Sequence, residues 1–169
     1  MFEDDLWWQA QWTVQVRQFI GPYILRAATF EEDATQATDL IVVRADGLRV
    51  ACRIRKPDSG YAEKYGHEIT FTSRRESGAP CEWDKMILGN WGDWFFYAHA
   101  TTLTPREGGR LCPAVLLDLH ATRQYFRDTP VAERGPNKNP IGMRCWFFAY
   151  DIDEVSRRCG PDAIIARRH

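Results

Sequence analysis

The sequence predicts an α/β fold, α+β in stricter terms: a mixed central sheet with helices packed on it. Three observations carry this expectation. Phe2 to Phe19 has helical spacing, with Leu6, Trp7, Ala10, Val14 and Phe19 near one face. Leu48 to Arg55 and His67 to Arg74 alternate with the period of two that marks strands. Short apolar or aromatic runs, Leu40 to Val43, Trp94 to Ala100, Ala114 to Leu119 and Cys145 to Tyr150, read as buried strands.

The 169 residues suffice for one domain with a real core, so residues 1–169 are read as a single domain. At 44% hydrophobic and 27% charged, the composition is that of a globular chain. No apolar run approaches the roughly 20 residues of a membrane helix, so no membrane partner is expected. The acidic start, MFEDDLWW, does not read as a secretory signal, and the expected location is the cytoplasm. The five cysteines lack CxxC spacing, which argues against structural zinc and a disulfide framework. The histidines form no HxxxH pair, which argues against a zinc enzyme. Residues 1–39 carry seven acids and two bases, while the rest is mildly basic. That distribution excludes both a strongly basic binder and an acidic DNA mimic, so any contact with nucleic acid must use a local patch. No P-loop, Rossmann or nucleophile-elbow motif is present.

In chain order, Glu3, Asp4 and Asp5 suit the start of the first helix, and Gly21-Pro22 should break it. Tyr23 to Ala28 resumes as helix or strand, and Phe30 to Ala37 is a polar connector. Thr38 to Lys56 then reads as a hairpin reversing at Ala45-Asp46-Gly47, because Asp-Gly between apolar runs is a strong turn signal. In its second arm Leu48, Val50, Cys52 and Ile54 face one way, and Arg49, Ala51, Arg53 and Arg55 the other. Lys56 to Gly66 is a loop. In the third strand, Ile69 and Phe71 face the core, with Glu68, Thr70, Thr72 and Arg74 opposite. Arg75 to Pro80 is a turn, Cys81 to Leu88 a short helix closed by Gly89, and Trp94 to Ala100 the fourth strand. Residues 1–100 form the expected core and 101–169 an extension. The extension holds a loop at Thr101 to Gly109, a strand at Ala114 to Leu119 and a helix at Ala121 to Arg127. A Gly/Pro/Asn loop at Val131 to Pro140, a strand at Cys145 to Tyr150 and a helix at Asp153 to Arg158 complete it.

A carboxylate, Asp39, opens the buried arm of the hairpin, and a row of arginines lines one face of its partner. The order helix, strand, strand, strand, helix, strand, with this aspartate, resembles the core of the PD-(D/E)XK nuclease superfamily over about residues 1–100. There an early Asp and a Glu-x-Lys or Asp-x-Lys triplet bind Mg²⁺ and activate water. Thr38-Asp39 stands at the first position, but Ala51-Cys52-Arg53 stands at the second; Ala51 cannot ligate a metal and Arg53 cannot act as a base. The missing groups could come from Glu82 and Lys85 on the Cys81–Leu88 helix, or from Glu68, which could face the arginine row.

The resemblance implies a DNA-interacting protein, a metal-dependent deoxyribonuclease if active. Asp39, Glu82 and Lys85 are then the catalytic candidates, and Asp39 and Glu68 the ligands of Mg²⁺ or Mn²⁺. Arg49, Arg53, Arg55 and Arg74 are the candidate nucleic-acid contacts, since guanidinium matches phosphate bidentately. The same residues also have structural readings. Asp39 could cap a turn, the arginines could pair with Glu68 and with Glu31, Glu32 and Asp33, and Glu82 and Lys85 could be a solvated helix pair. The alternative function is a non-catalytic binding protein on the same scaffold, such as a phage or mobile-element inhibitor of a host nuclease or defence complex, with a protein partner. Trp91 is a candidate base-stacking residue, and of adjacent Trp7 and Trp8 one should be exposed.

Overall fold

The computed structural model describes residues 7–27, 40–42, 47–57, 60–89, 91–138 and 144–169. After a helical turn at 7–10, the elements are α1 (Thr13–Ile24), β1 (Leu25–Ala27), β2 (Leu40–Val42), β3 (Val50–Arg55), α2 (Tyr61–Tyr65) and β4 (Glu68–Arg75). They continue with α3 (Glu82–Ile87), β5 (Trp94–Ala100), β6 (Leu111–Asp118), α4 (Leu119–Asp128), β7 (Arg134–Lys138), β8 (Arg144–Asp151), α5 (Ile152–Cys159) and β9 (Ile164–Arg168). No helix among the described residues is long and apolar enough to cross a membrane.

The architecture is α+β. The larger sheet has four strands in the order β3-β5-β6-β9, mixed because β3 runs parallel to β5 while the other pairs are antiparallel. A second sheet has the antiparallel order β4-β8-β7, and β1 pairs with β2. Both larger sheets draw strands from residues 1–100 and from 101–169.

All seven residues of β5 are buried, because both faces of its sheet are covered. Trp94, Phe96, Ala98 and Ala100 point into a core shared with Trp8, Trp12, Phe19 and Ile20 of the N-terminal helical segment. Phe95 and Tyr97 point into a second core, filled by Ile69 and Phe71 of β4, Met86 of α3, Phe126 of α4 and Tyr150 of β8. Phe71 is fully buried there. Its ring centroid lies 5.0 Å from Phe126, 5.2 Å from Phe95 and 6.0 Å from Trp91. The hand-over from β6 to α4 is made by Asp118, whose carboxylate accepts the backbone N–H groups of His120 at 2.7 Å and Ala121 at 3.2 Å.

Several expectations need correction. The first helix does not stop before Gly21-Pro22 but runs to Ile24, held by Phe19 and Ile20 packing on the sheet. Among the described residues, the hairpin pairing between the arms of Thr38 to Lys56 is not observed. β2 pairs with β1 (Leu25 opposite Val42), whereas β3 pairs with β5 (Val50 opposite Trp94). Residues 45 and 46 of the expected turn lie outside the described residues. The parallel partner is reached through a long crossover, a cost in chain entropy that burial of the sheet's two faces offsets. The third strand belongs to the second sheet, beside β8. Residues read as loop form α2 and β7, and β9 follows the last helix at a stretch for which the sequence predicted no element.

Truncating Phe71 removes the ring at the centre of the second core. Phe71→Ala should cost about 3–5 kcal/mol in urea unfolding. Leu88→Ala, at a side chain 72% exposed, should change stability by less than about 0.5 kcal/mol.

Candidate functional site

The register of β3 on β5 sets Arg53 beside Tyr97 and Arg55 beside His99. In parallel strands these partners share a face, and here it is the one turned toward β4. Thr70 and Thr72 of β4 meet the two arginines. Arg53 donates from Nη2 to Thr72 Oγ1 at 3.3 Å, and Arg55 donates from Nε to the Tyr97 hydroxyl at 3.0 Å and from Nη2 to Thr70 Oγ1. The Thr70 and Tyr97 hydroxyl oxygens lie 3.2 Å apart. Because β4 is at the edge of its sheet, its outward N–H groups need partners from elsewhere. Glu82, at the start of α3, supplies one: its Oε2 accepts the Thr72 N–H at 2.9 Å, while Oε1 pairs with Arg53. One carboxylate therefore ties α3, β4 and β3 together.

The helix bearing Glu82 is fixed from behind. The Asp84 carboxylate accepts the Cys81 N–H at 2.9 Å, and the Cys81 thiol donates to Ser73 O at 3.0 Å. Glu82 is thus held over the β4 edge.

A cleft of about 330 Å³ opens onto this cluster, lined by Trp8, Gln9, residues 52–56 and Glu82. Lys56 Nζ sits 5.4 Å from the centroid of a Trp8 ring, a cation–π contact at its rim. The lining carries three cations, Arg53, Arg55 and Lys56, and one carboxylate. The Arg53 and Glu82 side chains are 21% and 17% exposed, so the pair is partly desolvated yet reachable from solvent. Burial pushes the Arg53 pKa down, Glu82 holds it up, and neighbouring Arg55 pushes it down again. Deeper in, His99 is buried, and burial with the Arg55 charge lowers its pKa from 6.5 to about 4.

The residues singled out from sequence divide between this cluster and the rest of the surface. Arg53, Arg55 and Glu82 come together. Asp39 lies outside the described residues, as do Glu31, Glu32 and Asp33. Lys85 is exposed on α3. Arg49 lies before β3, where its guanidinium binds both oxygens of Asp93 at 3.2 and 3.1 Å. With His120 at 3.2 Å, it holds the Asp93 carboxyl well below the usual range. Arg74 donates to Glu133 at 3.0 Å and lies 3.8 Å from the Trp146 ring centroid. Arg49 therefore does not join Arg53 and Arg55 in the expected row, and Arg74 is engaged away from them. Glu68 does not face them either: Arg134 grips it bidentately at 2.7 and 2.9 Å. Trp91 packs within the second core, 4.8 Å from Phe95.

Among the described residues no three His, Cys, Asp or Glu side chains converge to hold a metal ion. Among the described residues, Glu82 is the single carboxylate lining the cleft, and both its oxygens are engaged. Hard divalent cations seek two or more such ligands, so the described residues do not fit Mg²⁺ or Mn²⁺. Sequence reasoning missed Thr70, Thr72, Tyr97 and His99 as members of the cluster. The alternation of β4 marked the threonines as facing away from Ile69 and Phe71. Tyr97 and His99 sat inside an aromatic run that reads as packing.

Comparison of the chain with protein-family models, curated proteins and solved structures finds no match.

Three stability outcomes are expected. Glu82→Ala leaves Arg53 partly buried without its carboxylate and should lower stability by about 2–3 kcal/mol in urea unfolding. Arg144→Ala, breaking an exposed pair with Glu76, should cost less than about 1 kcal/mol. His99 is held neutral in the fold while the unfolded chain takes up its proton at higher pH. Its contribution is complete above pH 6.5 and is lost as pH falls through about 4. Stability should drop across that window by up to ~3 kcal/mol, and His99→Leu should flatten the dependence seen in urea titrations.

Proposed function

We propose that the cleft along β3 binds the phosphate backbone of DNA, and that the protein acts there as a binding module. The observation that carries this reading is the pairing of Arg53 and Arg55 on one strand face, steadied by Thr70, Thr72, Tyr97 and Glu82, with Lys56 at the rim. Guanidinium groups oriented by neutral hydroxyls keep their fork geometry and are pre-organised for phosphate oxygens. Their side chains line an open cleft of about 330 Å³.

The resemblance to PD-(D/E)XK nucleases supports DNA as the polymer. Of the catalytic set it implies, Glu82 is in the cleft, committed to Arg53 and Thr72, and Lys85 is exposed on α3. Hydrolysis therefore rests on Asp39, and the proposal for the described cleft is binding.

Fluorescence anisotropy with labelled DNA tests the proposal. Three cationic contacts should give a log K against log salt slope of about −2 to −3, and Lys56→Ala should reduce its magnitude by about 1. No salt-dependent DNA binding by the wild-type chain would overturn the reading. A companion incubation of DNA with Mg²⁺, Mn²⁺ or EDTA should show no cleavage. Metal-dependent cutting lost in Asp39→Ala would replace the binding module with a nuclease.

A further inference from the structure

The helical turn at 7–10 has two sides. Trp8 is buried, donates from Nε1 to Leu103 O at 2.8 Å and lines the cleft described above. Trp7 is 70% exposed. It lines a separate cleft of about 390 Å³ with Gln11 from the helical segment and with Thr104, Pro105 and Arg106 from the β5–β6 loop. A large indole face left open to water has a cost that packing elsewhere in this aromatic-rich chain avoids. Here the face is bounded by an amide, a hydroxyl and a guanidinium, and among the described residues no carboxylate lines the cleft.

We infer that Trp7 is the stacking platform for a nucleobase of single-stranded DNA whose phosphates run through the Arg53–Arg55 cleft. This rests on the DNA-binding reading and adds the strand state of the substrate. The chemistry of the lining selects the occupant. A base offers a π-face to the indole and ring and exocyclic polar atoms to the Gln11 amide, while Arg106 can meet a phosphate or stack on a base. The volume lies in the range of small-molecule sites generally, roughly 300–1,000 Å³. The two clefts are lined by consecutive residues, Trp8 and Trp7, on either side of one turn, which keeps both within the reach of one strand of several nucleotides. In a duplex the bases are stacked inside and cannot reach an indole at the surface, so the arrangement suits an unpaired strand.

The test uses the full chain and three labelled probes: oligothymidylate, the same backbone made fully abasic, and a blunt duplex. Wild type should bind oligothymidylate about ten-fold more tightly than the abasic strand. Trp7→Ala should abolish that preference while leaving abasic binding unchanged, and Trp7→Phe should retain most of it. Because Trp7 is exposed, both variants should keep the wild-type circular dichroism and unfolding midpoint. Oligothymidylate should quench tryptophan fluorescence less in Trp7→Phe than in wild type. Equal affinity of wild type and Trp7→Ala for oligothymidylate, with binding still weakened by Lys56→Ala, overturns the stacking site and leaves the backbone cleft standing. Duplex bound as tightly as oligothymidylate does the same. No binding of any probe by wild type removes both readings. A sedimentation shift from dimer to monomer in Trp7→Ala, without change in DNA affinity, assigns the face to a second copy of the chain.

Discussion

The burial of β5 on both faces is the constraint from which the rest of the molecule follows. Seven consecutive apolar, aromatic and imidazole side chains can be removed from water only by covering two surfaces at once. One cover is the N-terminal helical segment, and the other is the second sheet with α3, α4 and α5. A strand in that position needs ladder partners on both edges, and β3 and β6 supply them. The parallel β3 partner then carries its arginines to the place where two sheet edges meet.

That meeting place is unusual in what it leaves polar. The rest of the space between the sheets is filled by rings around Phe71. At the β3 and β4 edges, two guanidinium groups, two threonines, a tyrosine and a glutamate replace them. A buried cation is tolerated only when paired and hydrogen-bonded, and Glu82 meets this need for Arg53 while also satisfying an edge N–H of β4. The cluster is therefore a joint of the fold as well as a lining of the cleft. Any anion that enters must compete with Glu82 for Arg53, or use the outer parts of Arg55 and Lys56, where the fold depends on it less.

The sequence made the strand faces legible and left their partners hidden. Alternation in β3 correctly divided Val50 and Ile54 from Ala51, which pack in different cores, because side-chain direction is set locally by the pleat. Pairing is set by distant residues, and the Asp-Gly signal at Asp46-Gly47 carries no information about Trp94. The same division explains the site. Arg53, Arg55 and Glu82 were visible as charges on predicted elements. Their company was not, since Thr70, Thr72 and Tyr97 have no local feature that separates a site residue from a packed one. Arg49, which shares its spacing with Arg53 and Arg55, and Arg74 on the next strand show the opposite failure: they are claimed by Asp93 and Glu133, which arrive from other parts of the chain.

The two tryptophans at the chain's first described turn show how one local rule yields two roles. Adjacent helical residues point about 100° apart, so Trp7 and Trp8 cannot share a core. Trp8 takes the buried position and a hydrogen bond to the β5–β6 loop; Trp7 is left facing outward over Pro105 and Arg106. The hydrogen bond from Trp8 ties this turn to the loop against which Trp7 lies. A rigid aromatic face loses little conformational entropy when it meets a planar partner. The proposed stacking role therefore falls on a side chain of that turn that the core does not use.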